Sequence, residues 1–168
     1  MVVWQFEAPP ERPRREVRRA LLQRVLTYHG KSGELRRACD HCGARDHGRP
    51  RLAPHDDTPA CFDFNLSATD GAVVIACSGG LGIGIDVESL RRSVPEGMGD
   101  HLGAGPRTDP HTQLDIWVAK EAVLKCVGVG LAEPISTVAL EAPPARGRFT
   151  RARLRTELVA TVTLIDVG

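Results

Sequence analysis

Trp117-Val118-Ala119-Lys120-Glu121-Ala122-Val123-Leu124-Lys125 is the stretch on which the fold turns. Ala, Lys, Glu and Leu are strong helix formers, and neither Gly nor Pro interrupts the chain from Leu114 to Val127, so a helix is predicted there. At about 100° per residue, Leu114, Trp117, Val118 and Leu124 form one apolar stripe. Glu121 falls inside that stripe, and Lys125 stands one turn on. A solvated Glu-to-Lys pair four apart would stabilise a helix by about 0.3 kcal/mol and would lie on the wet side. An ionised carboxylate on a core face must instead find a cation, lose its charge or bind a metal. Glu121 is therefore read as part of a site.

Working outward, Leu81-Gly82-Ile83-Gly84-Ile85-Asp86-Val87-Glu88 alternates with period two and predicts a strand. Ile83, Ile85 and Val87 share one face, and Gly82, Gly84, Asp86 and Glu88 share the other. Asp86 and Glu88 are then about 6.5–7 Å apart at Cα. Two acids so close repel unless a cation sits between them, and hard oxygen ligands suit Mg²⁺. Gly82 and Gly84 on the same face leave room for a ligand to approach the backbone. On its own, the acidic pair is no more than the wet face of a strand.

Taken together, Gly84-Ile85-Asp86-Val87-Glu88 and Trp117-(x2)-Lys120-Glu121-Ala122-(x2)-Lys125 resemble the two signature motifs of the 4′-phosphopantetheinyl transferase superfamily. Upstream, His47-Gly48-Arg49-Pro50-Arg51-Leu52 resembles the family's His/Tyr-Gly-Lys/Arg-Pro element. Phe64-Asn65-Leu66-Ser67 resembles the start of its Phe-Asn-Leu-Ser-His-Ser element. The four pieces stand in the family's order, and the likeness runs from about Arg12 to Val138.

The resemblance implies an α+β fold of two pseudo-symmetric halves, each a small antiparallel sheet packed on a long helix. It implies a single domain over residues 1–168, with halves of about 1–80 and 81–168 and the site in the cleft between them. It implies Mg²⁺ held by Asp86, Glu88 and Glu121, and coenzyme A as the second substrate. Arg12, Arg49, Ser67 and Lys120 are the implied coenzyme A contacts. The implied chemistry is attack by a serine of an acyl or peptidyl carrier protein on the β-phosphate. Glu121 takes the proton and Lys125 steadies the phosphate or the leaving 3′,5′-ADP.

The sequence departs from the family pattern in three places. Ala68 stands where a His usually helps hold the 3′-phosphate, and Thr69-Asp70 follow in place of Ser-Gly. One lost charge-assisted hydrogen bond weakens coenzyme A binding by about 1.5–3 kcal/mol, and Asp70 adds a negative charge. Ser89 to Pro110 reads as a Gly/Pro-rich loop where the family has helices and part of the carrier contact. About two dozen residues that usually separate the first strand from the first helix are missing. The chain thus reads as a shortened, divergent member. Its rival reading is a repurposed member of the same fold, binding a carrier protein or another ligand, or catalysing a different step, without arm transfer.

Composition narrows the other classes. A length of 168 residues suits one domain, and 42% apolar residues suffice for a core. A net charge of +1 gives no bulk pointer to nucleic acid or to a membrane surface. No run of about 18 apolar residues is present to span a bilayer. Met1 to Pro10 lacks a signal-peptide pattern, and an odd count of five Cys argues for reduced thiols, so a cytoplasmic setting is expected, as monomer or homodimer.

The remaining chain reads as follows. Met1 to Phe6 is a short strand, and Glu11 to Tyr28 is a helix with Val17, Leu21, Val25 and Tyr28 on one face. Its arginines ride outside, Arg12 or Arg19 being the ones that would meet a phosphate. Phe62, Phe64 and Leu66 alternate with Asp63, Asn65 and Ser67 as in a half-buried strand. Thr69-Asp70-Gly71 is a turn before a second strand, Val73 to Cys77. Gly128 ends the central helix, and Ile135 to Leu140 and Leu154 to Ile165 read as strands. Pro50 presents Arg49 from a stiff turn. Cys39-x2-Cys42 is a lone pair, which His41, His47, Cys61 or Cys77 would have to complete. A Gly-ended turn with two idle thiols is preferred there over a structural zinc or a zinc-dependent binding module.

Overall fold

Period-two alternation builds three small antiparallel sheets, and two amphipathic helices cover them. The computed structural model describes residues 1–9, 11–39, 42–45, 47–53, 62–94, 98–103, 108–129, 133–140, 147–153 and 158–165, with only the backbone described for 38, 147–153, 159, 160 and 162–165. The first sheet has the order β1 (Val2–Glu7), β5 (Ala72–Gly79), β4 (Phe62–Thr69). A two-stranded sheet joins β2 (Leu35–Ala38) to β3 (Arg49–Leu52). The third sheet has the order β6 (Gly82–Ser89), β8 (Leu158–Ile165), β7 (Gly147–Arg153). All pairings are antiparallel. His41, Cys61, Gly130, Leu131, the Leu154 end of the last expected strand, and residues 95–97 and 104–107 of the middle loop lie outside the described residues.

Helix α1 (Arg14–Tyr28) lies on the first sheet. It starts three residues after the expected Glu11, because a residue before proline is pushed out of the helical region and Pro13 takes the cap position. Val17, Leu22, Val25 and Leu26 bury against Phe64, Val73, Ile75 and Cys77. Each such aliphatic side chain stabilises the fold by about 1.5–3 kcal/mol. Tyr28, expected on the buried face, is 72% exposed and meets Trp4 edge-on. The other face of β5 is equally dry. Val74 and Ala76 meet Ile83, Ile85 and Val87 of β6, so β5 serves two cores from its two faces. The apolar face of β6 is therefore the one the alternation predicts.

Helix α3 (Pro110–Val127) packs on β6 and β8. It begins four residues before the expected start. Asp109 accepts hydrogen bonds from the backbone N–H groups of His111 and Thr112, and Pro110 takes the first helical position. Gly128 closes the helix in the left-handed conformation at φ 87°, as expected.

Two stretches differ from expectation. Ile135–Thr137 is a 3-10 turn, not a strand. The residues it buries, Ile135 and Val138, are three apart and join Leu102 and Leu124 in a third cluster, which is the 3-10 spacing. The middle loop contains a short helix α2 (Met98–His101), and Leu102 after it is buried. No helix among the described residues is long and apolar enough to cross a membrane.

Candidate functional site

Strand β4 supplies the floor of the site. Its polar row was expected to face water, yet Asn65, Ser67 and Thr69 are buried. The row instead faces β6 and α3. Asp63 Oδ2 accepts from the backbone N–H of Ile83 at 2.8 Å. Asn65 Nδ2 donates to the carbonyl of Lys125 at 3.3 Å. Ser67 Oγ donates to Asp86 Oδ1 at 2.7 Å, and Thr69 Oγ1 to Glu88 Oε2 at 3.0 Å. Among the described residues β4 and β6 share no backbone ladder, so these side chains make the join.

The acidic centre rises from that floor. Asp86 is 4% exposed and Glu121 is 7% exposed. Lys125, one turn along α3 from Glu121, donates to Asp86 Oδ1 at 2.5 Å and to Ser67 Oγ at 3.0 Å. Strand alternation and helical spacing thus bring Asp86, Glu121, Lys125 and Ser67 together as expected. Asp86 Oδ2 and Glu121 Oε1 are buried and accept no hydrogen bond from any described residue. Two carboxylate oxygens left so are costly unless a proton or a cation joins them. The Glu121 carboxyl is accordingly raised above the usual range, first by burial and then by the charge of Asp86, with Lys125 opposing and Glu88 adding to the rise.

Glu88 stands apart from this pair. Its Oε1 accepts from Arg92 at 2.6 Å and its Oε2 from Thr69. The ligand atoms of Asp86, Glu88 and Glu121 are not gathered into one cluster. Among the described residues, the group of three His, Cys or acidic side chains with all ligand atoms within 4.8 Å of one another is Cys39, Cys42 and His47. For a hard divalent cation, Asp86 and Glu121 offer the unshared oxygens and fit. Glu88 is held elsewhere by Arg92.

A cavity of about 630 Å³ opens over the centre, walled by Arg18, Arg37, Arg49, Ala68, Trp117 and Lys125 as well as by the three acids. Arg18 and Arg37 are cationic wall residues that the sequence does not mark, since Arg18 reads as part of the solvated face of α1 and Arg37 stands in no motif. The Arg37 guanidinium pKa is lowered, first by burial and then by repulsion from Arg18 and Arg15. A crowded set of cations favours an anionic ligand. Arg18 and Arg37 also line a neighbouring basic hollow with Arg15, Arg19, Arg36 and Arg45.

Several expected contacts are placed differently. Arg12 is exposed at the approach to α1 and is not among the residues lining the cavity. Lys120 points away from it, because one residue along a helix is a rotation of about 100°. Its Nζ is buried against the carbonyl of Ile135 at 3.3 Å, and burial lowers its pKa. Arg49 sits in strand β3, with Pro50 opposite Arg37. Its Nη1 donates to the carbonyl of Cys126 at 2.6 Å, and its Nη2 donates to Asp63 Oδ2 at 2.5 Å and to the carbonyl of Ile83 at 2.9 Å. It is first of all a clasp between β3, β4, β6 and the end of α3. Asp70 is exposed, pairs with Arg14 and does not line the cavity, so its charge stays off the site. Gly84 does not admit a ligand; α3 crosses there. A Cβ at that position would lie 2.6 Å from Cys126 N and closer still to the Ala122 carbonyl oxygen. Ala68 does line the cavity, so the missing imidazole is missing from the site itself.

A family model described as the 4′-phosphopantetheinyl transferase superfamily matches residues 82–165, half of the chain. The matched span carries Asp86, Glu88, Lys120, Glu121 and Lys125, while Arg12, Arg49 and Ser67 lie before it. No curated protein matches the chain.

Proposed function

Because the chain belongs to the 4′-phosphopantetheinyl transferase superfamily, we propose that it transfers the phosphopantetheine arm of coenzyme A to a serine of an acyl or peptidyl carrier protein, with Mg²⁺. The observation that carries this reading is the pair of buried, unshared oxygens, Asp86 Oδ2 and Glu121 Oε1, beside Lys125. Asp86 and Glu121 would hold the ion, and Glu88 would join them only by leaving Arg92. When bound, Mg²⁺ offsets the charge that builds on the transferring phosphate.

The chain's own residues do the rest. Glu121, whose carboxyl already holds a proton more tightly than usual, takes the serine proton directly or through a water. The serine oxygen forms a bond to the β-phosphorus. The bond from that phosphorus to the oxygen of 3′,5′-ADP breaks, and 3′,5′-ADP leaves. Lys125 steadies the phosphate, and Arg18 and Arg37 hold others of the coenzyme by paired hydrogen bonds. The basic hollow beyond them suits an acidic partner. Arg49 and Ser67 act mainly by positioning, and Lys120 and Arg12 take no part. In this reading the chain is one domain of two related halves, about 1–80 and 81–168, each a sheet on its helix. It works in the cytoplasm, alone or as a homodimer.

A repurposed fold is the second reading, favoured by Ala68 in the cavity wall and by Glu88 bound to Arg92. Intact-mass measurement of a panel of apo carrier proteins, incubated with the chain, coenzyme A and Mg²⁺, separates the two. A gain of one phosphopantetheine arm, lost in Glu121→Gln and Asp86→Ala, supports transfer. No gain beside a working control enzyme, with no coenzyme A binding at millimolar concentration, supports the repurposed fold.

A further inference from the structure

We propose that Cys39, Cys42 and His47 form a zinc site on the wall of the cavity. Three observations converge on it. The first is the backbone. The N–H of Gly43 donates to the carbonyl of Cys39 at 2.8 Å, and the N–H of Cys39 donates to the carbonyl of Ala44 at 2.9 Å. These two bonds hold Cys39 against Gly43 and Ala44, just past Cys42. Gly43 has φ 72° with open space around the missing Cβ. Glycine is there for the left-handed backbone that this tight fold requires, not for want of room.

The second is convergence. The ligand atoms of all three side chains lie within 4.8 Å of one another, and Cys42 Sγ stands 3.3 Å from His47 Nε2. A tetrahedral zinc with ordinary bond lengths sets sulfur and nitrogen about 3.6 Å apart and two sulfurs about 3.8 Å apart. The two cysteines form no disulfide. The third is chemistry: two thiolates and an imidazole are the soft and borderline donors that select zinc over Mg²⁺ or Ca²⁺.

The site would fix a connection that matters. His47 is followed by Gly48, whose carbonyl accepts from Arg37 Nη1 at 2.9 Å, and then by Arg49 of the clasp. Zinc at this knuckle would tie Cys39 and Cys42 to His47 and so hold Arg37 and Arg49 at the cavity. Among the described residues three ligands converge, which leaves the fourth position of a tetrahedral zinc to water or to a further side chain. The sequence alone disfavoured zinc because no second Cys pair has the usual spacing; the hairpin between β2 and β3 supplies His47 instead.

The test is metal content, and it does not depend on arm transfer. The untagged protein is purified in a non-thiol reductant with no added metal, its thiols are counted, and zinc is measured by mass spectrometry. The expected result is about one zinc per chain, retained against a weak chelator and lost in Cys39→Ser/Cys42→Ser. Cobalt titrated into the stripped protein should give thiolate charge-transfer absorption and tetrahedral visible bands, and His47→Ala should shift those bands and weaken binding. Zinc should leave on acidification, as the ligands take up protons. Reduced wild-type protein with no more zinc than background and no thiolate band with cobalt would overturn the site, whether or not any variant folds. So would a double variant that keeps its zinc.

Discussion

Gly84→Ala tests how tightly the acidic centre is tied to packing. The new Cβ would lie 2.6 Å from Cys126 N and 2.8 Å from Cys126 Cβ, with the Ala122 carbonyl oxygen nearer still. Two of these atoms are helix backbone, which has no rotamer to escape into. Strand and helix must therefore separate by about 1 Å to restore van der Waals contact. Overpacking a dry core by one methyl group costs about 1–3 kcal/mol, and a collision with two main-chain atoms belongs at the upper end. For a chain of 168 residues, a loss of about 3 kcal/mol lowers the melting temperature by about 6–12 °C. Glu121 and Lys125 each adjoin one of the residues struck, so the Lys125–Asp86 bond should loosen with the helix. Thermal melts by circular dichroism, backed by urea midpoints, give the measurement. Gly80→Ala is the control: nothing lies within 4 Å of its missing Cβ, but its φ is 83°, so strain of about 1 kcal/mol is expected. A Gly84→Ala melt within about 2 °C of wild type, or above the Gly80→Ala melt, would refute the close crossing.

Three further outcomes are expected. Glu121 has a folded pKa above its unfolded one, so its contribution to stability is fully present in acid and is lost as pH rises from the ordinary glutamate range through the raised value; Glu121→Gln should melt a few degrees higher than wild type at neutral pH, with the gap closing in acid, and added Mg²⁺ should raise the wild-type melt but not that of the variant. Arg49→Gln should cost about 3 kcal/mol, because it strands the Asp63 carboxylate and two carbonyls in a half-buried seam; a urea midpoint equal to wild type would show that the clasp is not needed. Asp109→Ala should lower the melt through the lost helix cap and leave the cavity unaltered, and an unchanged melt would deny the cap.

Regular elements were legible wherever one residue type repeats with one period. The β6 alternation, the Glu121 and Lys125 spacing and the Gly128 stop depend on local geometry alone, and each stands where the pattern puts it. Asp109-Pro110 sits in a Gly/Pro-rich stretch that reads as loop, although an Asp cap before a first-position proline is itself a helix-start signal. What the sequence could not convey is which partner a polar row would find. Asp63, Asn65, Ser67 and Thr69 have the right period for a wet face, and only the arrival of β6 and α3 from later in the chain makes that face dry. Lys120 and Glu121 are adjacent in a motif, yet only one of them reaches the cavity. Arg49 reads as a free cation until strands distant in sequence surround it.

The join between β4 and β6 has a consequence for inheritance. A peptide ladder is written in atoms common to every residue, so strands joined by one can drift in sequence and stay together. Here the two strands are matched through hydroxyl, amide and carboxylate groups, one position at a time. Changing Ser67 alone disturbs Asp86 and Lys125 together, and changing Thr69 alone disturbs Glu88. The row on β4 and the acids on β6 therefore behave as a single haplotype. A chimera that takes its first sheet from one relative and its third from another keeps the dry contact of β5 with β6 but loses these bonds unless both rows come from the same parent.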